Sequence, residues 1–390
     1  MPVDWRYLAL ATAGASAFID MYATQPLLPE LRSTFHASEA AVGLTITAIT
    51  LACALAAPFV GFLADRVGRK RVIVSAILLL GAVTIGTATA DTLPTLIAWR
   101  FAQGLFMPAI FAVTLAYIAE EFPASVGGRA VGAYMGGNVF GGFFGRYFTA
   151  LVADRTDWHV AFVVLGVLNV LGGAMVWIAL PRSRRFVRSP SFGSALRAIG
   201  SFVRDPVLVA TDVVGGSVLF TLVATFTYVT FHLAGPPFSL GTAALGNVFC
   251  VYLLGVVASP LSGRLVDRFG HRATLLLSIA TSAVGIAITL VPNVAAIVAG
   301  LALLATGVFC SAAASQGYIG VVATGQRSTA AALYLTVYYV GGGAGAVVPG
   351  LFWAHGGWPA TVALILAVQA GACTLAQTVW PPRRATRQVA

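Results

Sequence analysis

The sequence predicts an all-α membrane protein of twelve transmembrane helices, arranged as two pseudo-symmetric six-helix bundles. Three observations lead there. Of 390 residues, 58% are hydrophobic and 9% charged, and the mean hydropathy of +0.89 lies far from that of a water-soluble domain. The apolar residues fall into twelve runs, each near the ~20 residues that cross a bilayer. Finally, a basic turn between two such runs, Gly61-Phe62-Leu63-Ala64-Asp65-Arg66-Val67-Gly68-Arg69-Lys70-Arg71, returns 202 positions later as Gly263-Arg264-Leu265-Val266-Asp267-Arg268-Phe269-Gly270-His271-Arg272.

The first six spans are expected at about 5–28, 41–63, 72–90, 94–118, 130–152 and 159–181, and the second six at about 206–232, 243–262, 273–291, 294–318, 329–352 and 359–380. Residues 1–181 then form the N-terminal bundle. Residues 182–205 form a basic linker carrying Arg182, Arg184, Arg185, Arg188, Arg197 and Arg204, in which 192–202 has the character of an amphipathic surface segment. Residues 206–390 form the C-terminal bundle with a short tail. The charged start runs into an apolar stretch that continues through Pro26, so it reads as an uncleaved first helix rather than a signal peptide. Asp91-Thr92 and Pro292-Asn293 leave room only for tight turns. Tyr134, Gly141-Gly142 and Gly145 in helix 5 recur 200 residues later as Tyr334, Gly341-Gly342 and Gly345 in helix 11, which argues for duplication.

The net charge of +10 does not point to nucleic acid, because the cations form no aromatic-interleaved patch. Of the 23 Lys and Arg residues, all but Arg32, Arg155 and the intramembrane Arg100 and Arg146 fall on one side of the predicted topology. By the positive-inside rule that side is the cytoplasm, and both termini lie there. The four cysteines, Cys53, Cys250, Cys310 and Cys373, are widely spaced in apolar runs and give neither a disulfide framework nor a metal-ligand pattern.

The repeated pattern Gly-x-Leu-x-Asp-Arg-x-Gly-[Arg/His]-[Lys/Arg] resembles the loop between helices 2 and 3 of the major facilitator superfamily, with its echo between helices 8 and 9. The resemblance covers the whole chain and implies a bacterial inner-membrane transporter that acts as a monomer among lipids. It also implies a gating role for Gly61, Asp65, Arg66, Gly68 and Arg69, with Asp65 facing the start of helix 11 at Ser328-Thr329 and Arg129 or Arg66 completing a charge cluster in the outward-facing state. Gly263, Asp267, Arg268 and Gly270 would repeat the arrangement against helix 5.

Four charged residues lie well inside the spans: Asp20, Arg100, Arg146 and Asp212. A charge in hydrocarbon costs roughly 2.5 to 3.5 kcal/mol on insertion scales, so each calls for a partner or a wet cavity. They either serve transport or tie helices to one another and to backbone carbonyls. Asp20 lies in Asp20-Met21-Tyr22-Ala23-Thr24-Gln25-Pro26-Leu27-Leu28-Pro29, which is similar to the Asp-Met-Tyr-Leu-Pro-x-Leu-Pro signature of the bicyclomycin-resistance group of drug:proton antiporters, with Ala23-Thr24-Gln25 ahead of Pro26. A carboxylate taken out of water holds a proton more readily, as proton exchange requires. Arg100 and Gln103 share a helix face and resemble the helix-4 pattern Arg-x-x-Gln-Gly, linked in the family to coupling. Arg100 is expected either to hold the deprotonated Asp20, to anchor an anion, or to brace helix 1 against helix 4.

Helix 5 carries Gly137, Gly141 and Gly142 in register with an antiporter motif Gly-x-x-x-Gly-Pro-x-x-Gly-Gly, with Asn138 at the proline position and Ala133 at the leading glycine. Arg146, near its outer end, is expected to pair with Asp154 or Asp157 as a gate. Asp212 joins the coupling candidates, although its place near a helix end equally suits an ion pair with a linker arginine. Tyr22, Gln25, Gln103, Asn138, Tyr228, His232, Gln316 and Tyr338 are candidates to line a substrate cavity.

No Gly-x-x-x-x-Gly-Lys-[Ser/Thr] loop, Gly-x-Ser-x-Gly or His-Glu-x-x-His string occurs, so neither ATP nor an enzymatic site is expected. The expectation is a secondary transporter with no cofactor, driven by the proton gradient, exporting small amphipathic molecules or drugs. The alternative is a permease for one metabolite or sugar.

Overall fold

A computed structural model describes residues 4–181, 183, 205–323 and 327–380. The linker arginines, the amphipathic segment and the C-terminal tail lie outside the described residues, as do the side chains of Ser328 and Thr329.

The described chain is helical with no strand. The first bundle comprises α1 (Trp5–Met21), α2 (Glu39–Val67), α3 (Arg69–Thr87), α4 (Leu93–Glu121), α5 (Ala124–Arg155) and α6 (Trp158–Ala179). The second opens with α7 (Pro206–Ala234). Next comes α8, built from Thr242–Val248, a 3-10 stretch Phe249–Leu254 and Gly255–Phe269; α9 (His271–Ile288) and α10 (Val294–Val322) follow. The last helical stretch, Arg327–Val379, is interrupted by non-helical backbone at Gly356 and Gly357, which divides it into α11 and α12. Seven of these helices and the undivided α11–α12 stretch are by themselves long and apolar enough to cross a membrane, and the two parts of α8 taken as one span add a ninth. The count falls short of twelve because α11 and α12 run on as one, α5 is diluted by glycine, and α1 has only 17 residues.

Local chemistry sets the helix ends. Ser38, Thr92, Asp157, Asp205 and Asn293 each precede a helix and accept from its first free N–H groups, as Asp157 does from Val160 at 3.0 Å and Asn293 from Ala295 at 2.9 Å. Gly68 and Gly270 take φ of 97° and 84°, conformations that side chains disfavour, and so turn α2 into α3 and α8 into α9. Large apolar side chains point outward, among them Leu55 and Phe59 on α2, Leu171 and Ile178 on α6 and Val257 on α8, as lipid-facing surfaces require.

Helix 1 ends earlier than the apolar run suggests. It stops at Met21, and Gln25–Leu27 forms a 3-10 turn before a short helix, Leu28–Thr34, with Pro26 and Pro29 at their starts.

Glycines set how α1 meets α5. Gly137, Gly141 and Gly145 lie against the carbonyls of Ala11, Ala15 and Ile19, so that a methyl at Gly141 would come 2.5 Å from the Ala15 oxygen. The second bundle repeats the seam: Gly341 and Gly345 lie against the carbonyls of Gly216 and Phe220. Position 20 of α1 therefore corresponds to Thr221 of α7.

The halves meet at the end opposite the two basic turns, here the distal end. On α2 and α11, Thr47 donates to the Gly343 carbonyl at 2.7 Å and Gly43 abuts Ala346. On α5 and α8, Gly246 abuts Ala150 and Asp154 accepts from the Ala243 N–H at 3.2 Å.

Candidate transport site

The break after α1 exposes backbone in the middle of the bundle. The last carbonyls of a helix have no intrahelical donor. Arg100, fully buried on α4, supplies donors to them: Nη1 donates to the Asp20 carbonyl at 2.9 Å and Nη2 to the Met21 carbonyl at 2.7 Å. Its Nε reaches the Thr45 carbonyl of α2 at 3.3 Å, and Nη1 also bonds Gln103 Oε1 at 2.6 Å. A cation at a helix C-terminus also complements the helix dipole. Arg100 thus braces helix 1 against helix 4 through backbone; contrary to the first expectation, it makes no ion pair with the Asp20 carboxylate.

That carboxylate is held by neutral groups. Oδ2 accepts from Thr84 Oγ1 of α3 at 3.1 Å and from the amide of Asn169 on α6, while Oδ1 has no hydrogen-bond partner among the described residues. Gln103 Nε2 donates to Thr84 Oγ1 at 2.8 Å, so a continuous network runs from Arg100 through Gln103 and Thr84 to Asp20 and Asn169. Sequence reasoning missed Thr84 and Asn169. Asn169 left a signal, being the one amide in an otherwise apolar span.

The second bundle carries an uncharged counterpart. Gln369 of α12 stands 200 residues after Asn169 and donates to Ser282 of α9 at 2.8 Å, beside Thr221 and Ser311 around a small void. Gln369 Oε1 and Ser311 Oγ lack partners among the described residues. The two halves are therefore alike in placement and unlike in charge.

Nearer the distal end, Arg146 is 1% exposed and lies between the halves. Its Nε donates to Gln25 at 2.6 Å, Nη1 to the Gly142 carbonyl and Nη2 to the Tyr252 hydroxyl of α8 at 3.2 Å. The rings of Tyr252, Tyr22 and Phe249 lie 4.1, 4.6 and 5.4 Å from the guanidinium carbon. Gln25 in turn donates to Thr227 of α7 at 3.3 Å. The expected pairing with Asp154 or Asp157 does not occur: Asp154 stands eight residues further along α5, about 12 Å of helix away, and the two carboxylates accept from the N–H groups of Ala243 and Val160.

Other candidates lie elsewhere. Asn138 lies against Gly14 and the Tyr134 carbonyl in the α1–α5 seam, rather than in a cavity. Tyr228 pins α7 to α11 through the Ala346 carbonyl at 3.0 Å. His232 stacks on Trp358, ring centres 5.5 Å apart, near the distal turn. Gln316 is exposed on α10. Tyr338 is half-buried between Tyr334 and Tyr339, and Tyr339 meets Phe111 of the other half. Asp212 is buried, and its Oδ1 is without a partner among the described residues.

At the basic end, Arg69 is buried between Asp65, at 2.9 Å, and Glu120 of α4, at 2.8 Å. Glu120 joins this cluster, while Arg129 and Arg66, either of which was expected to complete it in the outward-facing state, are exposed here. Arg66 lies over Phe62 at 4.2 Å, and Gly61 faces open space, as does Gly263. Asp267 and Arg268 are exposed, and Arg268 lies over Phe269 at 5.1 Å. The cross-half arrangement is expected of the state open at the distal end, whereas here the halves meet through their distal ends, and the side chains of Ser328 and Thr329 lie outside the described residues.

A family model described as Major Facilitator Superfamily matches residues 10–251 and 229–389. The chain belongs to the major facilitator superfamily. It is similar to the uncharacterized MFS-type transporter YybF of Bacillus subtilis, 30% identical over 92% of this chain and 89% of the relative. It is also similar to the inner membrane transport protein YnfM of Escherichia coli, 30% identical over 93% of this chain and 88% of the relative. The fold matches a crystal structure of a bacterial homolog to the human lysosomal transporter Spinster, inward-facing and unoccupied, with a TM-score of 0.79 at 17% identity over 97% of this chain and 98% of that one. A D-xylose-proton symporter matches with a TM-score of 0.77 at 17% identity, over 98% of this chain and 99% of that one. This major facilitator is thus a multi-pass membrane transporter rather than an enzyme, working by alternating access of its two halves.

Proposed function

We propose that this major facilitator is a proton-coupled exporter of small amphipathic molecules, with Asp20 as the proton-carrying group. The observation that supports this most directly is the setting of Asp20. Its carboxylate is fully buried, held by Thr84 and Asn169 and not by a cation, and keeps one oxygen open. A proton can therefore come and go there without breaking an ion pair. Arg100 fixes the break beside it, so a change in the Asp20 side chain acts on the point where helix 1 gives way to Tyr22 and Gln25.

On this reading the basic turns and both termini face the cytoplasm of a bacterial inner membrane, and the distal contacts close the path to the outside. A permease for one metabolite or sugar is the second reading, favoured by the polar chain Thr45–Thr24 and Gln25–Thr227 on the way between the halves.

The test is accumulation of fluorescent amphiphiles and antibiotics in pump-deleted cells carrying the wild type or an equally expressed Asp20→Asn variant, with and without a protonophore. Lower accumulation in energised wild-type cells alone is expected. Equal accumulation of every compound in all cells would replace export by the permease reading.

A further inference from the structure

Three arginines are buried among the described residues, and only one is left without a carboxylate in its surroundings. Arg69 is flanked by Asp65 and Glu120, and Arg100 caps the backbone of Asp20, whose carboxyl group is on the same residue. Arg146 has Gln25, the Gly142 carbonyl and Tyr252, all uncharged. Asp154 lies eight residues on along α5, about 12 Å of helix away, and is committed to Ala243. An uncompensated charge in so buried a place is costly, and chains retain such groups where a ligand or pathway uses them.

The donor count points the same way. A guanidinium offers five N–H groups, and the three hydrogen bonds of Arg146 leave two without an acceptor among the described residues. One of its acceptors, Tyr252, belongs to the opposite half, as does Thr227, which holds Gln25. Opening of the distal end must separate α8 from α5 and α7 from α1. Arg146 then loses the Tyr252 hydroxyl and the Phe249 and Tyr252 rings together, while Tyr22 stays with it. What remains is a cation with a fork of free donors, next to an aromatic face.

We infer that the molecule carried by this transporter bears an oxyanion group, a carboxylate, sulfonate or phosphate, that docks on Arg146 when the distal end opens. Two oxygens of such a group match the two-pronged donor geometry of arginine, and the Tyr22 face takes the apolar body beside it. This rests on the transport reading above and narrows its substrates to amphipathic anions. On return to the closed state, Tyr252 reclaims the guanidinium and expels the anion group.

The test uses the purified full chain in lipid nanodiscs, with benzoate, naphthalene-1-sulfonate and phenyl phosphate as probes, each beside its uncharged partner, benzamide, naphthalene-1-sulfonamide and phenol. Saturable stabilisation against unfolding by at least one anion and not by its partner is expected. Arg146→Gln should weaken that binding about tenfold or more, and Arg146→Lys less. Should Arg146→Gln not fold, Tyr252→Phe removes only the competing hydroxyl and should tighten anion binding several-fold.

Equal binding of neutral partners, unchanged anion binding in Arg146→Gln or in Tyr252→Phe, or no anion binding up to about 10 mM would overturn the inference. Flux in proteoliposomes separates the two claims. Proton-driven movement of neutral or cationic compounds without anion binding defeats the anion assignment and leaves transport standing. Anion binding through Arg146 without flux of any compound defeats the transport reading and upholds the binding site.

Discussion

Arg100 donates to the main-chain carbonyl of Asp20 and leaves that residue's carboxylate to Thr84 and Asn169. The two charged groups are thus adjacent without being spent on each other. The arginine stabilises the end of α1, and the acid remains available for a proton.

Asp20→Asn should therefore abolish uphill transport while preserving the fold. Asparagine fills the same space and keeps an acceptor toward Thr84, but carries no exchangeable charge. In proteoliposomes, substrate counterflow without a proton gradient should persist and gradient-driven accumulation should vanish. Retained accumulation would assign the proton to another group.

Arg100→Ala should act first on stability. It strips donors from the carbonyls of Asp20, Met21 and Thr45 in a place that water does not reach, at a cost of about 3 kcal/mol. Arg100→Lys should recover only part of it, because one ammonium cannot span three carbonyls on two helices. Denaturant unfolding of the purified variants measures both, and an unchanged midpoint for Arg100→Ala would refute the capping role.

Asn169→Leu and Gln369→Leu make a matched pair across the two halves. The first removes a donor to the only carboxylate of the network and should sharply reduce gradient-driven transport. The second removes an amide whose Oε1 has no partner, so transport should change little. Equal losses in both would mean that the two clusters serve packing alone.

The twofold plan was legible because its signals are repeated: the Gly68 and Gly270 turns and the glycine series of α5 and α11 recur at fixed offsets. The charged candidates were legible from the cost of placing them in an apolar span. What those charges touch was not. Arg100 binds carbonyls, and carbonyls belong to every residue, so no side-chain pattern announces them. Arg146 binds Gln25 and Tyr252, which lie 121 and 106 positions away, and Tyr252 meets it only when the halves close. Neutral partners such as Thr84 blend into apolar runs, whereas the pairs that looked obvious by charge, such as Arg146 with Asp154, gave way to helix-end N–H groups.

Gly145→Ala should disable the protein where Gly132→Ala does not. A methyl at Gly145 runs into the Ile19 carbonyl, one residue before Asp20, whereas Gly132 has open space around it. The first change pushes α1 from α5 and pulls Gln25 off Arg146. Expression, unfolding midpoint and flux should all fall for Gly145→Ala and hold for Gly132→Ala. Wild-type behaviour of both would show that the seam adjusts freely.

The distal contact between α2 and α11 offers a direct handle on alternating access. A β-carbon at Gly343 would lie 3.0 Å from Thr50 Oγ1, 3.4 Å from Thr47 Cγ2 and 3.8 Å from the Thr47 Cα, so cysteines at 47 and 343 come within reach of each other. Thr47→Cys with Gly343→Cys, in a background lacking the four native cysteines, should cross-link under mild oxidant and arrest transport. Reduction should restore transport, since the bond only holds the halves in the state they already visit. If export runs outward through this end, the cross-link must block both proton-driven efflux and counterflow. Cross-linking that leaves counterflow intact would mean that substrate does not pass between α2 and α11 at all.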